Sequence, residues 1–508
     1  MVSCFTLSLQ SSSKFPDFKH KTNCEPLWID GWCNPFWVHE EVKRQGIVVS
    51  IGILDKGVVS ENLQQECHAF MALLKSCTLK KDLNEGSRLH AEILKRGLLE
   101  NNPYLASSLI NMYSKCGLLA KAQKVLEVLC VRNVVTWSAL IGGYAQQGQG
   151  HEALECFEQM KREGIFPNMV TFTCILKACG STGSIKKGER IHHEIVSKGL
   201  LEKDIILGTA LVDMYAKCGV LTKAQNVLEE LPARNLLSWS ALIAGYAQQG
   251  QGHEALNCFD QMESEGFSPN AVTFICILKA CGSIGAIDKG KQIHEQIVSR
   301  GLLKNHIVLG TALVDMYAKC GELGKAKQVL EELSIRDIAS WNALISGYAQ
   351  QGQGNEALKC FDQMQSEGFS PNAITFISIL KACCCTGTLE KGKQIHKEIM
   401  NRDMLEHDYV LGNALVDMYA KCGALAKAQE VLKELVFQGV TSWNALIAGY
   451  AQHGRCHEAM ECFEQMQSKG LLANEITFIC ILKACGSKGA LEKGKEIHDE
   501  ISSRGLVQ

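Results

Sequence analysis

The 508-residue chain contains no run of 18 or more apolar residues, so nothing in it reads as a membrane-spanning helix. It has no excess of either charge: the formal charge is −2 and the pI near 6.7. That balance argues against a uniformly basic nucleic-acid binder, although it does not say how lysines are placed on one face. A P-loop, a GxSxG elbow and a clustered acidic metal site are all missing. The 24 cysteines lack the two-plus-two grouping of a zinc site, and no secretory signal precedes them. Most recur at fixed places, such as Cys174, Cys276 and Cys480, or Cys116, Cys218, Cys320 and Cys422. They read as small apolar residues, buried thiols in a reducing compartment.

What the chain does have is a period. The segment LGTALVDMYAKCG at Leu207 to Gly219 recurs letter for letter at Leu309 to Gly321, and with Asn413 in place of Thr at Leu411 to Gly423. Trp137, Trp239, Trp341 and Trp443 stand 102 residues apart by subtraction, each opening WSALI or WNALI followed by a GYAQ segment. A period this long exceeds one supersecondary unit, and three shorter units lie inside it. They run from Val134 to Asn168, Met169 to Asp204 and Ile205 to Asn235, holding 35, 36 and 31 residues by count.

Each unit reads as two short helices. In the 35-residue unit, Trp137, Leu140, Ile141, Tyr144 and Ala145 form one apolar face, and Gly148 and Gly150 break the helix. Ala153, Leu154, Phe157 and Met160 form a second stripe that ends before Gly164 and Pro167, with Glu152, Glu155 and Glu158 on the other side. A pair this short cannot bury its own stripe, so neighbouring pairs must cover it. The expected fold is all-α, an α-solenoid superhelix of stacked helix-turn-helix repeats with a concave groove.

Residues 1–66 fall outside the period and read as a leader plus an irregular cap. The opening MVSCFTLSLQSSSKF is rich in serine and has no acid before Asp17, as in an organelle transit peptide, but it also lacks arginine. Residues 67–508 read as an array of about thirteen units. The last begins at Glu475 and stops at Gln508, two residues short of its siblings, with no polar capping helix. A partner or further domain covering that end, or a fragmentary sequence, is expected.

The VTWSALI opening and EGIFPN close of the 35-residue unit resemble a pentatricopeptide repeat. The alternation with a longer LKACG unit and a shorter ALVDMYAKCG unit is similar to the plant-type members of that family built of P, L and S motifs. The resemblance covers Cys67 to Gln508 and implies a single-stranded RNA-binding solenoid of mitochondria or chloroplasts, reading one base per repeat. Such proteins chiefly specify cytidines for conversion to uridine, so a trans-acting deaminase or another RNA-processing factor is an implied partner. By the same resemblance, the fifth and last residues of each motif choose the base. In the P-type units these are Ser138 with Asn168, Ser240 with Asn270, Asn342 with Asn372 and Asn444 with Asn474. In the S-type units they are Ser107 with Asn133, Thr209 with Asn235, Thr311 with Asp337, and Asn413 with Gly439.

The family's pairing rule assigns adenine to Ser or Thr with Asn, guanine to Thr with Asp, and cytosine to Asn with Asn. Asn413 with Gly439 departs from it. The L-type fifth positions, Met71, Thr173, Ile275, Ile377 and Ile479, are mostly apolar and poor readers. The expected 5′ to 3′ target from Ser107 onward is A A n A A n G C n n C n. Independently of the family, a position after the core Trp that is Ser twice and Asn twice has no evident packing reason to be polar, and the two side chains offer different donors and acceptors. Lys115, Lys217, Lys319 and Lys421 recur where the family often contacts phosphate, and Lys177, Lys279, Lys381 and Lys483 recur in the L-type units. Both sets also read as solvated helix-end lysines.

Family members with their own editing activity end in a cytidine deaminase domain with zinc-binding His-x-Glu and Cys-x-x-Cys. His-x-Glu occurs at His90, His192, His396 and His498, always at one place in the L-type second helix, and no Pro-Cys-x-x-Cys follows. Cys383, Cys384 and Cys385 are consecutive and cannot supply that spacing. The expectation is therefore no intrinsic catalysis, no cofactor and no metal. Two other readings stay open. One is a helical-repeat adaptor whose groove binds a peptide, against which stands the lack of an arginine and asparagine clamp. The other is the truncated targeting arm of a deaminase.

Overall fold

The computed structural model describes residues 61–99, 102–202, 204–304, 306–406, 408–488 and 490–504. The transit-peptide reading and nearly all of the proposed leader and cap lie outside them, as do residues 505–508 at the end of the last unit. The described residues form 26 α-helices and no strand, running as consecutive pairs from Glu61–Lys80 with Leu83–Lys95 to Glu475–Lys488 with Leu491–Ser503. Within one period the pairs are Val134–Gln146 with Gly150–Arg162, Met169–Thr182 with Ile185–Ser197, and Ile205–Lys217 with Leu221–Glu230. None of these helices is long and apolar enough to cross a membrane.

The ends of the helices follow from local chemistry. Asn133 caps Val134–Gln146 by accepting from the backbone N–H groups of Val135 and Thr136 at 3.0 and 3.1 Å, while the Thr136 hydroxyl accepts from the Asn133 N–H at 3.1 Å. This reciprocal box satisfies donors that a helix start otherwise leaves bare. At the other end, Gly148 takes the left-handed conformation (φ 77°), and the N–H of Gln149 returns to the Tyr144 carbonyl at 3.0 Å. Only glycine enters that region without steric cost, which is why it closes this helix.

The chain falls into two compact units, Met1–Ala241 and Leu242–Gln508. In the first, each first helix packs on the first helix of the next pair, as Pro103–Lys115 does on Val134–Gln146, and each second helix is wedged between its own first helix and the following one. The second unit repeats the plan from Ala271–Ile284 to Glu475–Lys488. The two stripes expected in the 35-residue unit are buried, Trp137, Leu140, Ile141, Tyr144 and Ala145 on one helix and Ala153, Leu154, Phe157 and Met160 on the other. A fully buried Leu, Ile, Phe or Met contributes about 1.5–3 kcal/mol. Because the apolar face of each pair is covered by its neighbours, the fold is an all-α solenoid.

Three of the His-x-Glu histidines, and His294 at the same place in its own L-type unit, are parts of this packing. His90, His192, His294 and His396 each place Nδ1 within 2.9–3.0 Å of a tyrosine hydroxyl on the next first helix, those of Tyr113, Tyr215, Tyr317 and Tyr419. Burial holds all four below the ordinary imidazole pKa, and lysines nearby, such as Lys121 at His90 and Lys427 at His396, push the same way. A histidine whose folded pKa is depressed contributes stability that is fully present above the unfolded value and is lost as the pH falls through the folded one. We therefore expect the melting temperature to fall between pH 7.5 and pH 5.5. A flat profile in thermal scans over that window would contradict the burial of these rings.

Candidate nucleic-acid interface

The fifth and last residues of a motif lie 26 or 30 positions apart, yet the fold brings several of them into direct contact. The Asn342 amide donates from Nδ2 to Asn372 Oδ1 at 3.1 Å, and Asn444 does the same to Asn474 at 3.1 Å. Asn235 Nδ2 donates to the Thr209 hydroxyl at 3.2 Å, and the Thr311 hydroxyl donates to Asp337 Oδ1 at 3.3 Å. The last residue of a motif is also the N-cap of the next first helix. Asn168, Asn235, Asp337, Asn372 and Asn474 accept through Oδ1 from the N–H three residues on, at 2.8–3.1 Å. The pairing of positions and the capping of the helix are therefore one network.

The centre of this network was not singled out in the sequence. A threonine or serine three residues after each cap, Thr136, Thr171, Ser238, Thr273, Ser340, Thr375, Ser442 or Thr477, is completely buried. The Thr375 hydroxyl lies 2.7 Å from Asn342 Oδ1 and 3.0 Å from Asn372 Oδ1, and it accepts from the Asn372 N–H at 3.2 Å. Thr477 repeats this between Asn444 and Asn474. In the serine-bearing unit, Ser138 Oγ meets the Thr171 hydroxyl at 2.6 Å, and Thr171 in turn reaches Asn168 Oδ1 at 2.9 Å. The signal was present in the sequence as Asn-x-x-Thr or Asn-x-x-Ser at Asn133, Asn168, Asn235, Asn270, Asn372 and Asn474, with Asp337-x-x-Ser340 as a variant, the pattern of a capping box.

This changes the account of the fifth position. Ser138, Ser240, Asn342 and Asn444 are only 4, 6, 7 and 7% exposed. They are not free surface residues. The expectation that nothing in the packing calls for polarity there is corrected, because Ser138 and the two asparagines share hydrogen bonds with a buried hydroxyl that would be costly to leave unpaired. In the last residues, one atom is left for a ligand. Among the described residues, Oδ1 of Asn372 and of Asn474 accepts from the protein, while Nδ2 of each makes no bond to it.

The remaining candidates are placed differently. Ser107 turns its hydroxyl to the Tyr104 carbonyl at 2.8 Å. Ser240 and Asn270 fall in the two separate units; Asn270 caps its helix by accepting from the Thr273 N–H at 2.9 Å. Asn413 faces no cap side chain, since Gly439 has none, and its buried Oδ1 has no partner among the described residues. Three of the four lysines carry a local counter-ion: Lys217, Lys319 and Lys421 pair with Asp213, Asp315 and Asp417 four residues earlier at 2.6, 2.6 and 2.8 Å. At Lys421 desolvation works against the charge, but the bond to Asp417 and its carboxylate outweigh this and raise the pKa. Exposed pairs of this kind are worth about 0–1 kcal/mol, so each lysine can be redirected cheaply. Lys115 has Asn111 at the corresponding place and makes no ion pair among the described residues.

A second feature also went unread. At four caps the residue two places on is apolar and exposed: Leu237, Val272, Ile374 and Ile476 are 58–63% accessible. An exposed apolar side chain thus stands beside the caps Asn235, Asn270, Asn372 and Asn474. No group of three or more His, Cys, Asp or Glu residues that could hold a metal ion occurs among the described residues.

Stacked helix pairs with a regular line of capped polar positions define a helical-repeat solenoid protein. The model described as the PPR repeat family matches residues 132–181, 234–283, 336–385 and 438–487, and that described as the PPR repeat matches residues 105–134, 170–200, 311–338, 413–440 and 476–506. A chloroplastic pentatricopeptide repeat-containing protein of Arabidopsis thaliana is 36% identical over 417 residues, 82% of this chain and 67% of its own length. A mitochondrial one from the same plant is 35% identical over 428 residues, 84% of this chain and 61% of its own. The chain belongs to the pentatricopeptide repeat family, and it spans about half to two thirds of the length of such relatives. The crystal structure of the pentatricopeptide repeat protein PPR10 in complex with an 18-nt psaJ RNA element has the same fold, with a TM-score of 0.67 at 21% identity, over 90% of this chain and 69% of that one.

Proposed function

We propose that the chain binds single-stranded RNA sequence-specifically and specifies sites in organelle transcripts for C-to-U editing or processing by a partner enzyme, itself acting by binding and not by catalysis. The observation that carries this reading is the coupling of the fifth and last residues through a shared cap network in five units, those of Ser138 and Asn168, Thr209 and Asn235, Thr311 and Asp337, Asn342 and Asn372, and Asn444 and Asn474. It supports a recognition element that repeats with the helix pairs, as the bases repeat along a strand. Exposed Leu237, Val272, Ile374 and Ile476 supply platforms for the face of a base, while the amide left on Asn372 and Asn474 addresses its edge. The organelle is inferred from the chloroplastic and mitochondrial names of relatives, and the unit order supports a P, L and S type array. The RNA carried by PPR10 is that protein's own, but it shows what this fold can hold.

The test is a selection from random single-stranded RNA at two salt concentrations. We expect enrichment of A A n A A n G C n n C n, with affinity falling as salt rises because lysines displace counter-ions from phosphate. No enrichment with flat salt dependence would move the assignment to a peptide-binding adaptor. Replacing Asn342 with Ser recreates the Ser138 arrangement, in which the shorter side chain reaches only the threonine hydroxyl. The preferred base at that unit should then move from cytosine towards adenine. An unchanged preference there would sink the assignment of these positions.

A further inference from the structure

One corner of the fourth P-type unit departs from its three siblings, and a cavity lies at that corner. In the earlier copies the end of the S-type second helix, the residue before the cap and the end of the P-type second helix carry Glu127, Arg132 and Glu163, then Glu229, Arg234 and Glu265, then Glu331, Arg336 and Glu367. In the fourth copy the same places hold Lys433, Gln438 and Lys469. By count of these three residues, the corner moves from −1 to +2.

Where the carboxylate is present it is in use. Glu163 takes the Arg132 guanidinium at 2.6 Å through one oxygen and the Trp137 indole N–H at 3.1 Å through the other. Glu367 holds Arg336 at 2.6 Å, although there the Trp341 indole N–H is buried without a partner. In the fourth copy no such carboxylate remains. Lys469 donates to the Gln438 amide oxygen and lies 5.5 Å from the centre of the Trp443 ring, and Gln438 takes over only one of the arginine's contacts, a 3.4 Å bond to the Lys433 carbonyl. A cavity of about 310 Å³ opens at this place, lined by Lys433, Gln438, Trp443, Gln465, Ser468 and Lys469 among others, and none of its lining residues is acidic. Trp443 is 4% exposed and its Nε1 has no hydrogen-bond partner among the described residues. Glu434, next to Lys433, is not in the lining.

We propose that this corner is a binding site for a phosphate monoester dianion. Two ammonium groups and side-chain amides offer donors with no acceptor of matching charge, beside the buried and unpaired Trp443 indole N–H, and a dianion balances the two lysines where a carboxylate balances one. The carbonyl ends of helices Leu425–Glu434 and Cys456–Ser468 oppose an anion, and the lysines at those ends offset them. The cavity is large enough for the phosphate and a small group esterified to it. The phosphate can come from a small molecule in solution or from the end of an RNA strand.

Calorimetric titration of the full chain with inorganic phosphate at fixed ionic strength, with acetate as the monoanion control, tests the site. The variant K433E/Q438R/K469E restores the corner of the third copy, which the same chain already folds, and a thermal melt verifies that it does. We expect phosphate to bind the unaltered chain at least tenfold more tightly than it binds the variant, and acetate to bind more weakly than phosphate. Equal phosphate affinity in both proteins, or no binding to the unaltered chain at millimolar phosphate, overturns the proposal. A second arm compares single-stranded RNA with and without a terminal phosphate. A gain from that phosphate in the unaltered chain and none in the variant assigns the source to RNA; binding of inorganic phosphate with no such gain assigns it to solution.

Discussion

Thr375→Val is expected to lower local stability by about 1–3 kcal/mol and to blur base choice at the unit of Asn342 and Asn372. Valine has nearly the same shape, so the core loses no volume. What disappears is a hydroxyl that donates to the asparagine pair and accepts from the Asn372 N–H. Asn342 Oδ1 and that N–H are then left unpaired in a nearly closed space, and desolvated groups without partners are expensive. The Asn372 cap on the Thr375 N–H survives, because it uses backbone. Repeat arrays do not unfold as one cooperative unit, so the measurement is residue-level hydrogen exchange at Asn372 and Thr375 beside RNA selection. Thr375→Ser keeps the hydroxyl and should restore both. Unaltered exchange and unaltered selectivity in the valine variant would show that the network is incidental.

Asn372→Asp should reverse the chemistry offered to the base while leaving the helix start intact. The retained Oδ1 can still accept from the Thr375 N–H, and a carboxylate at a helix N-terminus is electrostatically favoured. Asp337 gives an internal precedent, capping its helix from the Ser340 N–H at 2.8 Å. The changed atom is the one no protein group uses: an Nδ2 donor becomes an Oδ2 acceptor. Cytosine presents an acceptor at N3 and should be rejected in favour of bases with an N–H there, uracil or guanine, by about 1–3 kcal/mol, the scale of a good hydrogen-bonded base contact. The readout is competition between RNAs differing at one nucleotide. Retention of cytosine by the aspartate variant would mean that the cap residue does not face the base edge.

The helical plan was legible because it depends on spacing within a unit. Trp137, Leu140, Ile141 and Tyr144 share a face at helical intervals, and Gly148 and Gly150 have the sequence context of a helix stop. The repeat itself made the register unambiguous, since four copies agree. The candidate reader positions were reached through the likeness to a family, and their side-chain chemistry was legible as donors and acceptors. Their burial was not, since it is set by the next helix pair.

Sequence alone thus determined the period, the helix pairs and the burial of the apolar stripes, all consequences of intervals of three and four residues and of glycine helix stops. Tertiary structure alone decided which atoms of those positions are already taken. Thr375 joins Asn342 to Asn372 across 33 residues, and the corner at Lys433, Gln438 and Lys469 gathers charges 36 residues apart, by subtraction, into one cavity. Lys217 stands four residues after Asp213, and only the fold shows that the ammonium turns to that carboxylate. The physical reason is that a hydrogen bond is won or lost over a few tenths of an ångström, and that distance is fixed by how one helix pair sits on the next.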